Sequence, residues 1–445
     1  MFSARSLVRR LRAWTRHQLR PPLPPRPPST AKAPIIDPSE LVEEERIPWY
    51  NPTDFYPVRI GEVFRSRYQV VGKLGYGGYS TVWLCRDLVE HCHVAVKVFS
   101  QFHEMPAKRE MAAFKHLSGI QSDHPGQRCI RTCLDHFELP ADHLGLQRPF
   151  QCLVLKPTLE SVWDLRMQGV AHQFKFPQML VKAVLRYVLL GLAYLHQEAN
   201  MVHAGSPPFL LAVPIAKSHS YAYHHPDIQE KNILFSIGDP ASLEAFEEAV
   251  WTSPSPQKEA GDRTIYISRP VKLKTNGGLV LGDFGEARFG QTTYTDLIQP
   301  EPYRAPEVML GMPWDEKVDI WSVGTMIWDM FQDKHMFRVP SGLDYEGKMR
   351  HRMAHIVSLL GPPPVDFLKR SETEEPWKYF DAQGNWTGAV DLPKDSLELS
   401  EQRLQGENKA HFLRFVRRMV AWRPEDRSPA HELLEDPWLQ AQDDK

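Results

Sequence analysis

The sequence predicts an α+β protein in which a small β-rich lobe with one main helix precedes a larger helical lobe. Three observations lead to this prediction. Residues 68–100 consist of short, alternating, β-rich runs broken by glycines. Residues 106–117 have the pattern of a helix, and residues 149–156 form another strand-like run. From about residue 160 onward the pattern is mainly helical, and this order of elements is typical of two lobes with a cleft between them.

The chain begins with a basic, Pro-rich segment, residues 1–46, that we expect to be disordered. Residues 1–36 carry seven Arg, one Lys and no acidic residue, and residues 21–34 contain seven prolines, which exclude a helix or a central strand. An Arg-rich, acid-free start is typical of a mitochondrial transit peptide, a solvated tail or a nuclear-import patch. We expect a protein of the cytoplasm and nucleus, with mitochondrial targeting by this leader as the alternative.

The charge of the remaining chain limits its partners. The 445 residues carry a net charge of −2, so the chain after residue 36 carries −10 once the +8 of the leader is set aside. A mildly acidic body argues against direct nucleic-acid binding, which requires basic surface. The longest apolar stretch, residues 179–196, contains Lys182 and Arg186 and follows Pro177. It therefore predicts a buried helix and no membrane span.

A glycine-rich segment lies between two β-type runs and reads Gly75-x-Gly77-x-x-Ser80-x-Val82. Glycines allow backbone N–H groups to approach phosphate oxygens closely, although a simple glycine-rich hairpin turn would look the same. A strand follows this segment, whereas a Walker loop or a dinucleotide fold requires a helix there. Lys97 then lies on an apolar strand and needs a partner. The phosphates of a nucleotide and the carboxylate of Glu110, on the next helix, would both be suitable partners for the Lys97 ammonium.

Five further motifs follow in a fixed order. They are Asp227-x-x-x-x-Asn232, Asp283-Phe-Gly285, Ala305-Pro-Glu307, Asp319 to Gly324, and Arg427. Their joint order and spacing are those of the protein-kinase signature. Phosphoryl transfer requires charge neutralisation and positioning, so Asn232 and Asp283 would bind Mg²⁺ while Asp227 accepts the proton of the substrate hydroxyl. Glu307 and Arg427 are expected to form a buried ion pair.

The chain resembles protein kinases over about residues 64–440, and the SR-protein kinase family in particular. Four segments are similar to those of this family. They are LGYGGYSTVWL (74–84), the short activation segment after Asp283, HIVSLLGPPP (355–364) and the long polar spacer, about 237–272. The resemblance implies a monomeric serine/threonine kinase that uses ATP and Mg²⁺ and phosphorylates Arg-Ser-rich splicing factors. It divides the chain into an N-lobe, 64–156, and a C-lobe, 157–440. It also implies a nucleotide pocket made of Leu74, Gly75, Gly77, Ser80, Val82, Ala95, Lys97 and Leu155.

Two departures from the kinase pattern concern single residues. Gln229 stands where most kinases have a Lys that holds the transferring phosphate, and Lys231 is not expected to replace it because side chains two residues apart point differently. Ala204 stands where an Arg would bind an activation-loop phosphate. We therefore predict that activity does not depend on phosphorylation of Thr292, Thr293 or Thr295.

The third departure is an insertion. Asp227 lies 24 residues after His203, where a kinase has two, so residues 205–226 are 22 extra residues. One hypothesis is a retained intron translated in frame, because 22 codons are a multiple of three nucleotides and excision restores His203-Ala204-Asp227. A genuine surface loop is the alternative, and loop-closure entropy does not forbid it. A different register, with His225 two residues before Asp227, is also possible.

The sequence leaves two functions open. The presence of Lys97, Glu110, Asp227, Asn232 and Asp283 favours an active kinase. The insertion and Gln229 favour a pseudokinase scaffold that binds partners without turnover.

Overall fold

The computed structural model describes residues 21–101, 104–146, 148–171, 175–204, 230–271, 276–332 and 334–441. The leader 1–20, the insertion 205–226, Asp227 and Gln229 lie outside the described residues. The chain divides into two units. The first, here the β unit, comprises residues 1–107, 132–159 and 236–277, and the second, the helical unit, comprises residues 108–131, 160–235 and 278–445.

The described elements follow the predicted order. The strands are β1 Val63–Phe64, β2 Tyr68–Gly77, β3 Ser80–Asp87, β4 Cys92–Phe99, β5 Cys133–Leu139, β6 Phe150–Leu155, β7 Thr158–Ser161, β8 Met201–Val202, β9 Ile233–Ile237, β10 Gln257–Ala260, β11 Arg263–Tyr266, β12 Asn276–Leu281 and β13 Arg288–Phe289. The helices are α1 Glu104–Ser118, α2 Val162–Ala171, α3 Gln178–Gln197, α4 Ala241–Thr252, α5 Pro306–Met309, α6 Lys317–Gln332, α7 Tyr345–Leu360, α8 Val365–Leu368, α9 Leu397–Ser400, α10 Gly406–Arg417, α11 Ala430–Leu434 and α12 Pro437–Gln440. The strands and helices predicted near 68–100, 106–117, 149–156 and 179–196 are confirmed.

The β unit is built on a six-stranded antiparallel sheet in the order β1-β2-β3-β4-β6-β5. Strand residues alternate between its two faces, because successive side chains on a strand point in opposite directions. One face packs into a hydrophobic cluster that includes Trp83, Val96, Cys152 and Val154, each at most 3% exposed. The opposite face carries Val82, Ala95, Lys97 and Leu155, four of the residues that the sequence predicted for a nucleotide pocket.

The sequence did not predict that the Pro-rich linker and the polar spacer pack on the β unit. Residues 21–55, the N-terminal arm, run along the β unit, where Arg26 pairs with Glu247 at 3.1 Å and the backbone N–H of Ile36 donates to Gln257. The expected disorder of residues 1–46 is therefore wrong for 21–46. The spacer forms α4 and the β10–β11 hairpin and belongs to the β unit, although it was assigned to the C-lobe by chain order.

Gly72 of β2 explains how α4 packs on the sheet. A Cβ at Gly72 would lie 3.3 Å from Val250 and 3.4 Å from Phe246, both on α4. The bare backbone at this point lets the helix approach the strand closely.

The helical unit is centred on two buried helices. Fourteen of the sixteen residues of α6 are buried, as expected for a helix that is covered all round. Helix α3 is long and apolar enough to cross a membrane, but eleven of its twenty residues are buried within this unit, as in a core helix. The prediction of a buried helix in this region is confirmed.

Candidate active site

The glycine-rich segment is a hairpin tip between β2 and β3. Gly75 is the register partner of Val82, and Gly77 is the partner of Ser80. An added Cβ would meet nothing within 4 Å at Gly75 and only Ser80 Oγ, at 3.9 Å, at Gly77, so the backbone here is accessible to a ligand. Leu74 is half-buried at the base of this hairpin, and Ser80 is buried at its far end.

The remaining residues predicted for the nucleotide pocket share one face of the sheet. Val82 pairs with Lys97, and Ala95, two residues earlier on β4, pairs with Leu155. Register partners and residues two apart on a strand lie on the same face, so all four are on the face opposite the hydrophobic cluster. Ala95 and Leu155 are fully buried, while Lys97 is half-buried with its Nζ 4.8 Å from the Phe99 ring centroid.

In the helical unit, Asp283 follows β12 with a backbone conformation that few non-glycine residues adopt. Its φ of +59° lies in the left-handed region, which costs about 1 kcal/mol or more for an ordinary side chain. The next residue, Phe284, is fully buried between Phe114 of α1, at 5.4 Å, and His203, at 5.2 Å between ring centroids. This packing holds Asp283 in the strained conformation, and such strain is typical of functional sites. Glu110, on the same helix as Phe114, is 2% exposed.

Asp319 of α6 fixes the chain where the catalytic segment begins. Its carboxylate accepts hydrogen bonds from the backbone N–H of His203, at 2.8 Å, and of Ala204, at 3.0 Å. It also pairs with His196 at 2.9 Å and is only 1% exposed. Ala204 has a φ of +65°, a conformation that these two hydrogen bonds help to hold. This geometry fixes His203 and Ala204, the last residues described before the insertion, against α6.

The two ends of the catalytic segment meet at one residue. His203 Nε2 lies 3.0 Å from the carbonyl oxygen of Gly282, and the backbone N–H of Gly282 donates to the carbonyl of Asn232 at 2.9 Å. Gly282 directly precedes Asp283, so Asn232 and Asp283 lie on neighbouring chain segments. A carboxylate and an amide oxygen are the hard donors that Mg²⁺ accepts when phosphate and water supply its other ligands. The donor set of this site therefore fits a divalent cation.

Lys231, beside Asn232, packs against an aromatic ring of α2. Its Nζ lies 4.3 Å from the ring centroid of Trp163 on α2, and burial lowers the pKa of the Lys231 ammonium to about 8. Because Gln229 lies outside the described residues, the expectation that Lys231 does not replace the missing Lys stays a prediction.

The activation segment is held by contacts among its own side chains and with α1 and α6. Arg288 donates to the carboxylates of Glu286 and Asp296, and Arg109 of α1 also pairs with Glu286. Further along, the Gln299 side chain donates to the Val318 carbonyl at 2.8 Å.

Arg304 holds the part of the activation segment that lies nearer to α5. Its guanidinium is fully buried and donates to the backbone carbonyls of Ile298 and Gln299 at 2.8–3.2 Å. Arg288 and Arg304 are thus engaged with protein partners, while Thr292, Thr293 and Thr295 are exposed.

The predicted ion pair between Glu307 and Arg427 is confirmed. Two parallel hydrogen bonds of 2.7 Å join the carboxylate and the guanidinium. Their side chains are 1% and 0% exposed. The Arg427 guanidinium also donates to the carbonyls of Ala421 and Lys317 at 3.0 Å, so its donors are satisfied as a buried charge requires.

The structure thus brings together the predicted residues within each unit. The pairing of Lys97 with Glu110 stays a prediction, and Asp227 lies outside the described residues. Sequence reasoning gave no role to Asp319 or Phe284, although both stood in motifs it recognised. An aspartate inside an otherwise apolar helix was a usable signal, because a buried carboxylate requires partners.

These features define a phosphotransferase of the protein-kinase class, since the glycine hairpin, the lysine strand and the Asp283 segment all occur in the expected fold positions. Comparison with known proteins agrees. The family described as the protein kinase domain matches residues 213–439. A serine/threonine protein kinase of Aspergillus fumigatus is 41% identical over 95% of this chain and 96% of its own length.

Two further relatives are more distant. The serine/threonine-protein kinase SRPK of Physarum polycephalum is 28% identical over 89% of this chain and 91% of its own length. The SRSF protein kinase 3 of Mus musculus is 25% identical over 90% of this chain and 91% of its own length. The chain belongs to the protein kinase family, it has the bilobal α+β fold of that family, and its relatives are serine/threonine kinases, SR-protein kinases among them.

Proposed function

We propose that this chain is an ATP- and Mg²⁺-dependent protein serine/threonine kinase, and that its active form joins Ala204 directly to Asp227. The observation that carries the proposal is the meeting of His203 and Asn232 at Gly282. The insertion lies in the chain between His203 and Asn232, which are both held by hydrogen bonds to Gly282. Its excision is therefore expected to leave both hydrogen bonds intact. It would restore the spacing of His-x-Asp, with Asp227 two residues after His203.

Each residue has a defined task in this proposal. Lys97 neutralises and orients the ATP phosphates, with Glu110 as its expected partner. Asp227 orients the substrate hydroxyl and accepts its proton. The Asn232 amide oxygen and the Asp283 carboxylate hold the divalent ion, which neutralises charge on the transferring phosphate.

Arg-Ser-rich splicing factors are the proposed substrates. Two relatives carry the names SRPK and SRSF protein kinase 3, and the body of this chain is acidic, with a charge of −10 after residue 36. An acidic surface attracts Arg-rich segments and raises their rate of encounter, in a way that salt weakens.

A pseudokinase scaffold is the second candidate. The length of the 205–226 insertion, immediately before Asp227, favours this function for the chain as it stands, and Gln229 adds to it because the phosphate-holding lysine is missing.

The deciding experiment measures transfer of radiolabelled phosphate from ATP to an Arg-Ser-repeat peptide. It compares the full chain, the chain lacking 205–226, and that deletion with Asp227→Asn. We expect transfer by the deletion form, and a loss of at least about 100-fold in the Asn variant, the scale of a missing general base.

Two controls make this result specific. Asp262→Asn changes an aspartate whose side chain is 72% exposed, so it should leave transfer unchanged. A Lys-Ser-repeat peptide keeps the charge but removes the guanidinium, and equal transfer to both peptides would contradict the Arg-Ser preference. Absence of transfer by every form would favour the scaffold.

A further inference from the structure

The N-terminal arm touches the tip of the glycine-rich hairpin through Trp49. The indole Nε1–H donates a hydrogen bond to the carbonyl oxygen of Gly78 at 3.2 Å. The indole also stacks on Tyr79, with 6.2 Å between ring centroids and 23° between planes. A Cβ at Gly78 would lie 3.2 Å from Trp49 Cζ2, so the close approach depends on the absence of a side chain there.

The arm is anchored on the N-terminal side of Trp49 by ion pairs. Glu45 pairs with Lys258 of β10 at 2.8 Å. Glu43, at 3.3 Å, and Glu44 both pair with Lys73, whose side chain is fully buried. Lys73 immediately precedes Leu74, so the arm contacts the hairpin at its base as well as at its tip.

The arm is anchored on the C-terminal side of Trp49 by hydrogen bonds to its backbone carbonyls. The carbonyl of Asp54 accepts from the N–H of Gln101 at 2.8 Å. The carbonyl of Phe55 accepts from the Arg263 guanidinium at 2.9 Å, and Phe55 is 5% exposed. Trp49 is therefore held between two fixed points, and its contact with Gly78 is a property of the folded arm.

We propose that Trp49 is a positioning residue for the glycine-rich hairpin, and that the affinity of the chain for ATP depends on this contact from the arm. The inference rests on the proposed kinase function. A glycine-rich tip loses much backbone entropy when it orders around phosphates. An arm that already orders the tip removes part of that cost, and binding becomes tighter through preorganisation.

The first test is hydrogen–deuterium exchange of the full chain without nucleotide. It compares wild type, Trp49→Ala, Trp49→Phe and the matched control Trp377→Ala, a tryptophan that is 37% exposed in the helical unit. We expect faster exchange of the amides of 76–80 in Trp49→Ala. The effect should be smaller in Trp49→Phe, which retains an aromatic ring but not the N–H. The control should exchange as the wild type does. Unchanged exchange at 76–80 in Trp49→Ala would overturn the proposal.

Combining Trp49→Ala with Gly78→Ala tests the contact itself, even if Trp49→Ala alone loosens the whole arm. Gly78 does not have a positive φ, so Gly78→Ala is compatible with the backbone and acts through its crowding against Trp49. Gly78→Ala should speed exchange of 76–80 in the wild type and have no further effect in Trp49→Ala. Additive effects of the two substitutions would count against the proposal.

The second test is titration of the same variants with ATP and Mg²⁺ by calorimetry. Loss of one hydrogen bond and its stacking predicts roughly 3- to 10-fold weaker binding in Trp49→Ala and partial rescue in Trp49→Phe. Equal affinities in wild type and Trp49→Ala would refute the positioning role. If no variant, including the wild type, binds ATP, the proposed kinase function fails, and the exchange experiment still decides whether the arm orders the hairpin.

Discussion

The Glu307–Arg427 pair permits a quantitative test of how burial determines the contribution of an ion pair to the free energy of unfolding. In Glu307→Gln the amide keeps the shape of the carboxylate but removes its charge, which leaves the fully buried Arg427 without a counter-ion. Breaking a buried pair in this way costs about 3–5 kcal/mol. Because Arg427 still donates to the carbonyls of Ala421 and Lys317, we expect a loss near the lower end of that range, about 3 kcal/mol.

The matched control is Glu425→Gln. Glu425 also forms a two-fold pair with an arginine, Arg370, but the two side chains are 53% and 40% exposed. An exposed pair contributes about 0–1 kcal/mol, so this variant should unfold almost as the wild type does. Both variants are measured by urea unfolding, followed by tryptophan fluorescence, at the same pH and salt concentration.

Two outcomes would refute the reasoning. The first is an equal loss of stability in Glu307→Gln and Glu425→Gln, since burial would then have no effect. The second concerns Glu307→Leu combined with Arg427→Met, which replaces the pair by apolar side chains. We expect this double variant to be more stable than Glu307→Gln, because no unpaired charge remains. A double variant less stable than Glu307→Gln would show that the pair itself stabilises the unit.

Three other outcomes are expected. Asp319→Asn should lower the free energy of unfolding by roughly 2–3 kcal/mol, since it weakens charge-assisted hydrogen bonds to the catalytic segment; wild-type stability in urea would contradict this. The Asp329 carboxylate raises the pKa of His335, so His335→Gln should cost about 0.5 kcal/mol below pH 6 and nothing above pH 8, where the histidine is neutral in both states; a loss independent of pH in unfolding titrations would refute it. Phosphatase treatment should leave phosphate transfer by the 205–226 deletion form within about twofold, because Arg288 and Arg304 already have protein partners; abolished turnover would overturn this.

The motifs that the sequence predicted correctly are those in which residue type and spacing already specify the chemistry. The sequence put Gly75 and Gly77 between two β-type runs, and the structure has them at the tip of the hairpin that joins these strands. The Glu307–Arg427 pair could be predicted because each charge, in an apolar context, required the other.

What the sequence could not predict depends on contacts between distant segments. Asp319 lies 116 residues from His203, and nothing in the local pattern shows that its carboxylate ends at the catalytic segment. The spacer has a polar composition, so it was assigned by chain order to the helical lobe. Its helix α4 instead packs on β2 because Gly72 leaves space for Phe246 and Val250.

The sequence by itself determined the class of this protein, since the order of its motifs allows one phosphotransferase chemistry. It also showed that 22 extra residues separate Ala204 from Asp227 when His203 is taken as the histidine of the catalytic segment. Only the tertiary structure showed that His203 is held by hydrogen bonds to Asp319 and Gly282. Only the tertiary structure showed that a Pro-rich arm becomes part of the fold. The reason is physical: prolines prevent regular secondary structure, but they do not prevent an extended segment from forming ion pairs and hydrogen bonds with a folded surface.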